Sequence, residues 1–167
     1  MTFTPQPGEK APDFAAKDQA GAIRRLSDHQ GKNVVLFFFP GGGSATCARQ
    51  AAAFRDQVAL LRRSNALVIG VSGDDVVGLK RFAMLNRVNF PVLSDPDRVI
   101  LREWGVLRGD RAERRTFVID AEGIVAKVYN AVAVARHVQD VVADLQQMHG
   151  PARLFPSVDM SAVESAG

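Results

Sequence analysis

The chain has 167 residues, 47% of them hydrophobic and 23% charged, which is the size and balance of one water-soluble globular unit. Its net charge of +3 is interspersed, and the densest basic cluster, Arg108 to Arg115, is broken by Asp110 and Glu113, so a solvated loop is expected there and no nucleic-acid partner. No apolar run approaches the ~20 residues of a membrane span, and Met1 to Pro12 has no apolar stretch flanked by basic residues; neither a membrane partner nor a secretory signal is expected, and the expected location is cytoplasmic.

Residues 1 to 33 hold short extended pieces around a hairpin turn at Asp18-Gln19-Ala20-Gly21. Val34 to Phe39 is apolar at every position, the pattern of a central strand covered on both faces. Pro40 stops that strand, and Gly41-Gly42-Gly43 frees the backbone to turn. Ser44 or Thr46 can cap the helix that follows, Cys47 to about Arg63, with Ala51, Phe54, Val58 and Leu61 on one face.

Leu67 to Ser72 is a second strand, and Asp74 or Asp75 can cap a helix reaching about Asn86, with Val76, Leu79, Phe82 and Ala83 inward. Phe90 to Leu93 is a short apolar piece, after which Ser94-Asp95-Pro96 opens a short helix ending near Trp104-Gly105. Thr116 to Ile119, the turn Asp120-Ala121-Glu122-Gly123, and Ile124 to Tyr129 form a strand–turn–strand hairpin. The last helix runs from about Val134 to Met148, with Val138, Val141, Val142 and Leu145 on its apolar face. The tail from Pro151 to Gly167 is small, polar and Pro-containing, and is expected to be loosely ordered.

The order β-α-β-α-β-β-α combines crossovers that favour parallel neighbours with a terminal antiparallel hairpin and a closing helix. This is the α/β layout of the thioredoxin-like fold, a mixed central sheet flanked by helices, with extra N-terminal strands. A single domain over residues 1–150 is expected, followed by the tail.

Cys47 is the one cysteine, which excludes an intramolecular disulfide and any multi-cysteine zinc site. The three histidines, His29, His137 and His149, lack metal-ligand spacing, and no metal or other cofactor is expected. A lone cysteine is ordinarily a small buried hydrophobe. At the start of a helix, however, a thiol faces backbone N–H groups and the positive end of the dipole, which favour thiolate.

The surrounding residues give that position its chemistry. Phe38-Phe39-Pro40-Gly41-Gly42-Gly43-Ser44-Ala45-Thr46-Cys47, followed by Phe54-Arg55-Asp56, resembles the peroxiredoxin active-site pattern of a proline, a Thr or Ser and a cysteine at fixed spacing. Gly8 to Phe14, Leu93-Ser94-Asp95 and Arg114 to Asp120 match further along, so the resemblance runs from about residue 7 to residue 146. It is strongest to the bacterioferritin-comigratory-protein, or type Q, subfamily.

The resemblance implies a thiol-dependent peroxidase acting on hydrogen peroxide or organic hydroperoxides. Cys47 would be the nucleophile and would become a sulfenic acid. Ser44 would interact with peroxide and thiolate through its hydroxyl, Pro40 would shield the pocket, and Arg114 would hold the thiolate ionised and polarise the peroxide. Arg115 is the adjacent rival; strand alternation puts Arg114 and Thr116 on one face and Arg115 and Phe117 on the other. Pocket size is expected to depend on packing around Phe38, Phe39 and Trp104.

Departures from the subfamily are equally specific. Ser44-Ala45-Thr46 stands where Thr-Pro-Gly is usual, and Ala48-Arg49-Gln50 replaces Thr-x-Glu. The resolving cysteine is missing at both of its usual places, where this chain has Ala52 and Ala83. The sulfenic acid would therefore be reduced from outside, by thioredoxin, a glutaredoxin-like protein, a low-molecular-weight thiol or another subunit's Cys47. A monomer is the first expectation and a dimer the second.

Of three rival readings, two fail on the sequence. A phosphate loop needs Gly-Lys-Ser/Thr after its glycines, which is absent. A thioredoxin-type oxidoreductase needs a cysteine where Gln50 stands. A redox sensor or binding protein, oxidised at Cys47 without turnover, is the alternative that the sequence leaves standing.

Overall fold

The computed structural model describes residues 3–130 and 133–149; the tail expected to be loosely ordered lies outside them. Nine strands and four α-helices follow one another among the described residues. β1 (Ala15–Asp18) and β2 (Ile23–Arg25) form an antiparallel hairpin, with Asp18 Oδ1 accepting from the N–H of Ala20 and Ala22 across the expected turn. β3 (Asn33–Phe38), β4 (Ala66–Ser72) and β5 (Val92–Ser94) are parallel, joined by α1 (Ala45–Arg63) and α2 (Val76–Leu85).

After α3 (Val99–Glu103) a small hairpin, β6 (Leu107–Arg108) and β7 (Arg111–Ala112), stands apart from the main sheet. β8 (Arg115–Ile119) adds antiparallel to β3, β9 (Val125–Tyr129) adds antiparallel to β8, and α4 (Val134–His149) closes the fold. The seven-stranded order is β2-β1-β5-β4-β3-β8-β9, with β3 and β4 inside the sheet. This is the expected mixed sheet flanked by helices.

All six residues of β3 are buried, and their alternation divides the interior. Val35, Phe37 and Phe39 join a cluster under α1, α2 and α4 that includes Cys47, Phe54, Leu79, Val138 and Leu145. Val34, Leu36 and Phe38 join the other face with Phe14, Ile100, Leu101, Trp104 and Phe117. The expectation that Phe38 and Trp104 shape the pocket is therefore corrected: both pack on the sheet face away from Cys47, and Phe39 alone of the three shares its cluster.

The remaining differences are local. α1 begins at Ala45, two residues before the expected start, because Ser44 rather than Thr46 is its N-cap. The short apolar piece Phe90 to Leu93 overlaps β5, Val92–Ser94, and Asp75, not Asp74, caps α2. The β6–β7 hairpin was not expected; each of its strands is two residues long, too short to show alternation.

Candidate active site

Parallel β3 ends at the edge of the layer that carries α1, and the chain must reverse within a few residues to start the helix. Pro40 follows β3 and is half-buried. Gly41, Gly42 and Gly43 then take φ values of +81°, +71° and +74°, a run that side chains rarely permit. Ser44 resumes extended backbone, and its Oγ accepts from the Cys47 N–H at 3.1 Å. Cys47 is thus the third residue of α1, held by the cap in the first turn, and is 1% exposed.

Arg114 enters from the residue before β8. Its Nη2 lies 3.5 Å from Cys47 Sγ, and its Nη1 donates to Gln50 Oε1 at 2.7 Å. Thr116, two residues on, faces the same side and hydrogen-bonds His137 at 2.8 Å. Arg115 faces the other way, where it pairs with Glu113 and donates to Thr4 Oγ1. This alternation separates the two arginines: Arg114 reaches the thiol and Arg115 does not.

Cys47, Ser44 and Arg114 are therefore brought together, with Pro40 at the turn that leads to them. Arg49 instead lies on the exposed side, donating to Thr46 Oγ1 at 3.2 Å. Arg55 donates to the Asn86 carbonyl at 2.8 Å and pairs with Asp56, so this part of the matching motif joins α1 to the end of α2. Ala83 lies in the Cys47 core cluster and Ala52 is half-buried on α1, neither offering a thiol. The basic loop is internally paired: Arg108 and Arg115 both engage Glu113.

Gln50 is the contact that the sequence reading overlooked. It stands where the subfamily has an acidic residue, and it is the acceptor for Arg114. The signal was its i+3 spacing from Cys47, which places both on one helix face. Gln50 is fully buried, and its Nε2 has no hydrogen-bond partner among the described residues. Among the described residues no three His, Cys, Asp or Glu side chains gather as a metal site, and no helix is long and apolar enough to cross a membrane.

The AhpC/TSA family model matches residues 7–128, a span that contains the whole Pro40–Cys47 turn and Arg114. The chain belongs to the AhpC/TSA family. It is 38% identical over 145 residues to the chloroplastic peroxiredoxin Q of Populus jackii, covering 84% of this chain and 68% of that one. The crystal structure of peroxidoxin BcpB from Mycobacterium tuberculosis superposes with a TM-score of 0.83 at 31% identity, covering 87% of this chain and 99% of that one. The Xanthomonas campestris bacterioferritin comigratory protein, described for its alkyl peroxide reduction activity, gives 0.80 at 25% identity, covering 87% and 100%. The chain is accordingly a peroxiredoxin, a thiol-dependent peroxidase on a thioredoxin-like fold.

Proposed function

We propose that this peroxiredoxin works by a one-cysteine cycle in which Cys47 is the peroxidatic nucleophile and an external thiol is the reductant. The observation that carries the reading is the guanidinium of Arg114 at 3.5 Å from Cys47 Sγ, in a first helical turn capped by Ser44. A fixed cation and the helix N-terminus both stabilise negative charge on sulfur.

In the first half-reaction the Cys47 thiolate attacks one oxygen of the hydroperoxide. An S–O bond forms, the O–O bond breaks, and its electron pair leaves on the other oxygen as hydroxide or alkoxide, which takes up a proton. Arg114 stabilises the departing charge, the Ser44 hydroxyl hydrogen-bonds the peroxide, and half-buried Pro40 limits water. Cys47 is left as a sulfenic acid.

In the second, an external thiolate attacks the Cys47 sulfur: an S–S bond forms, the S–O bond breaks, and hydroxide leaves and takes up a proton to become water, giving a mixed disulfide. A second external thiol attacks that disulfide and restores the Cys47 thiolate. The two electrons that reduced the peroxide have then come from the two external thiols, which leave as a disulfide. The absence of a second cysteine from the sequence supports this route. Thioredoxin, a glutaredoxin-like protein, a low-molecular-weight thiol and a second copy's Cys47 all fit the chemistry. Organic hydroperoxides are proposed beside hydrogen peroxide on the strength of the Xanthomonas relative, and a reducing compartment such as the cytoplasm suits a thiol-fed cycle.

The test is steady-state peroxide consumption with each thiol, together with mass spectrometry of Cys47. Catalytic consumption, a sulfenic acid and a mixed disulfide are expected, all abolished by Cys47→Ser. Stoichiometric oxidation that no thiol reverses would support the redox-sensor reading instead.

A further inference from the structure

Asp74 precedes the N-cap of α2 but does not serve it, since Asp75 Oδ1 accepts the capping hydrogen bond from Gly78 at 2.7 Å. The Asp74 carboxylate turns back toward the loop before Cys47. Both of its oxygens lie 3.2 Å from the backbone nitrogen of Gly42, which donates to them. Oδ2 also accepts from Ser72 Oγ at 3.0 Å, and Ser72 Oγ accepts from the Asp74 N–H at 3.2 Å. From β5, Ser94 Oγ donates to the Asp74 carbonyl at 2.6 Å. The side chain that grips Gly42 is thus itself anchored at the ends of two neighbouring parallel strands.

The loop is shaped around this grip. A Cβ on Gly41 would lie 2.2 Å from Asp74 Oδ2, inside any permitted contact. On Gly42 it would lie 3.0 Å from Arg111 Nη1, so a guanidinium from β7 packs against the same turn. Three successive glycines at positive φ have no intrinsic preference that would hold them there. Their conformation has to be imposed, and the Asp74 carboxylate supplies the charge-assisted hydrogen bond that does so. Ser44 follows two residues after Gly42, so the position of this turn sets where the cap, the first turn of α1 and Cys47 are placed.

Cys47 is 1% exposed. A hydroperoxide presents a slim pair of oxygens, but a reducing thiol must bring a larger sulfur atom in line with the S–O bond that it breaks. We propose that Asp74 is a positioning residue for this peroxidase: by clamping the Gly41–Gly42 turn it favours the arrangement that attacks peroxide over the opened one, expected of any peroxiredoxin, in which a reducing thiol reaches the oxidised sulfur. The second half rests on the one-cysteine cycle proposed above.

The experiment separates the two half-reactions. Reduced protein without any thiol is mixed with hydrogen peroxide, and sulfenic acid formation at Cys47 is followed with a sulfenic-acid-specific probe. The preformed sulfenic acid is then reduced with dithiothreitol. Asp74→Ala is expected to slow oxidation at least tenfold and to speed reduction at least threefold, opposite changes that a general loss of structure would not produce. Asp74→Asn, which keeps an acceptor oxygen for Gly42, is expected to restore oxidation to within about threefold of the parent. Gly41→Ala, which drives the carboxylate away from the other side, is expected to reproduce the Asp74→Ala pattern and decides the matter if Asp74→Ala does not fold. Both rates within twofold of the parent, or both lowered together in variants with native circular dichroism, would overturn the proposal. Failure of the parent to be oxidised would overturn the peroxidase reading on which it stands. An oxidised parent that dithiothreitol cannot reduce would overturn the recycling half alone.

Discussion

Gln50 holds Arg114 over Cys47: its Oε1 accepts from Nη1 at 2.7 Å while Nη2 reaches the sulfur at 3.5 Å. A neutral amide fixes the guanidinium without spending its charge, whereas a carboxylate there would pair with it and repel the thiolate. Gln50→Glu is therefore expected to move the alkylation profile of Cys47 to higher pH and slow peroxide attack at mildly acidic pH about threefold or more, near the ~1 kcal/mol of a screened charge pair. Folding should suffer little, because the buried carboxylate would stay paired with the Arg114 guanidinium that the amide oxygen now binds. Iodoacetamide alkylation across pH and urea unfolding read the two effects separately.

The two neighbouring arginines predict opposite phenotypes. Arg114→Met removes the cation beside the sulfur and is expected to slow peroxide attack at least tenfold, ~1.4 kcal/mol of activation free energy. Arg115→Met loses the ion pair with Glu113 on the other face and is expected to leave the attack rate within about twofold. Stopped-flow oxidation of the reduced proteins compares them directly. An effect confined to Arg115→Met would remove Arg114 from the mechanism.

That pair of arginines also shows how far the sequence could be read. Period-2 alternation along Arg114 to Phe117 sorted the side chains correctly, and the unbroken apolar run of β3 announced a strand buried on both faces. Helix and strand order followed from the same periodicities. What escaped was contact between distant segments. Gln50 looked like a lost acid until Arg114 was seen beside it, and Asp74 looked like one of two interchangeable caps until it was seen to bind Gly42. Phe38 and Trp104 are expected from sequence to shape the pocket, but the pleat turns Phe38 to the opposite face, where Trp104 packs against it. Local pattern specifies which side a residue faces, and only the assembled sheet specifies what it meets.

His137 gives the fold a pH dependence independent of the thiol. It is buried on α4 between Phe54 and Tyr129, hydrogen-bonded to Thr116, and burial pushes its pKa down to about 4 despite the opposing pull of Asp140. The unfolded imidazole titrates near 6.5, so between about 6.5 and 4 the unfolded chain binds more protons than the folded one. Stability should be level above that window, fall as pH is lowered through it, and lose roughly 3 kcal/mol by its lower end. Asp18 and Asp144 act at lower pH: burial opposes their ionisation, but Arg24 on one and Tyr129 and Lys127 on the other hold them below 3.8. Urea unfolding at several pH values should show the slope, and His137→Gln should flatten it within the window set by His137.

Ser44 caps α1, and the peroxide contact proposed for its hydroxyl is a second role that different substitutions can separate from the first. Its Oγ accepts from the Cys47 N–H at 3.1 Å, the capping bond of α1, while its hydroxyl hydrogen is available to the thiolate or peroxide. Ser44→Ala loses both and is expected to cost ~1 kcal/mol of stability and to slow peroxide attack about tenfold. Ser44→Asn can still cap the helix, because its side-chain oxygen accepts in the same way, but it has no hydroxyl. It should recover most of the stability and little of the rate, whereas Ser44→Thr should recover both. Thermal unfolding beside single-turnover oxidation makes the comparison. If Asn restores the rate as fully as Thr, Ser44 acts only by fixing the start of α1, and the hydroxyl takes no part in binding peroxide.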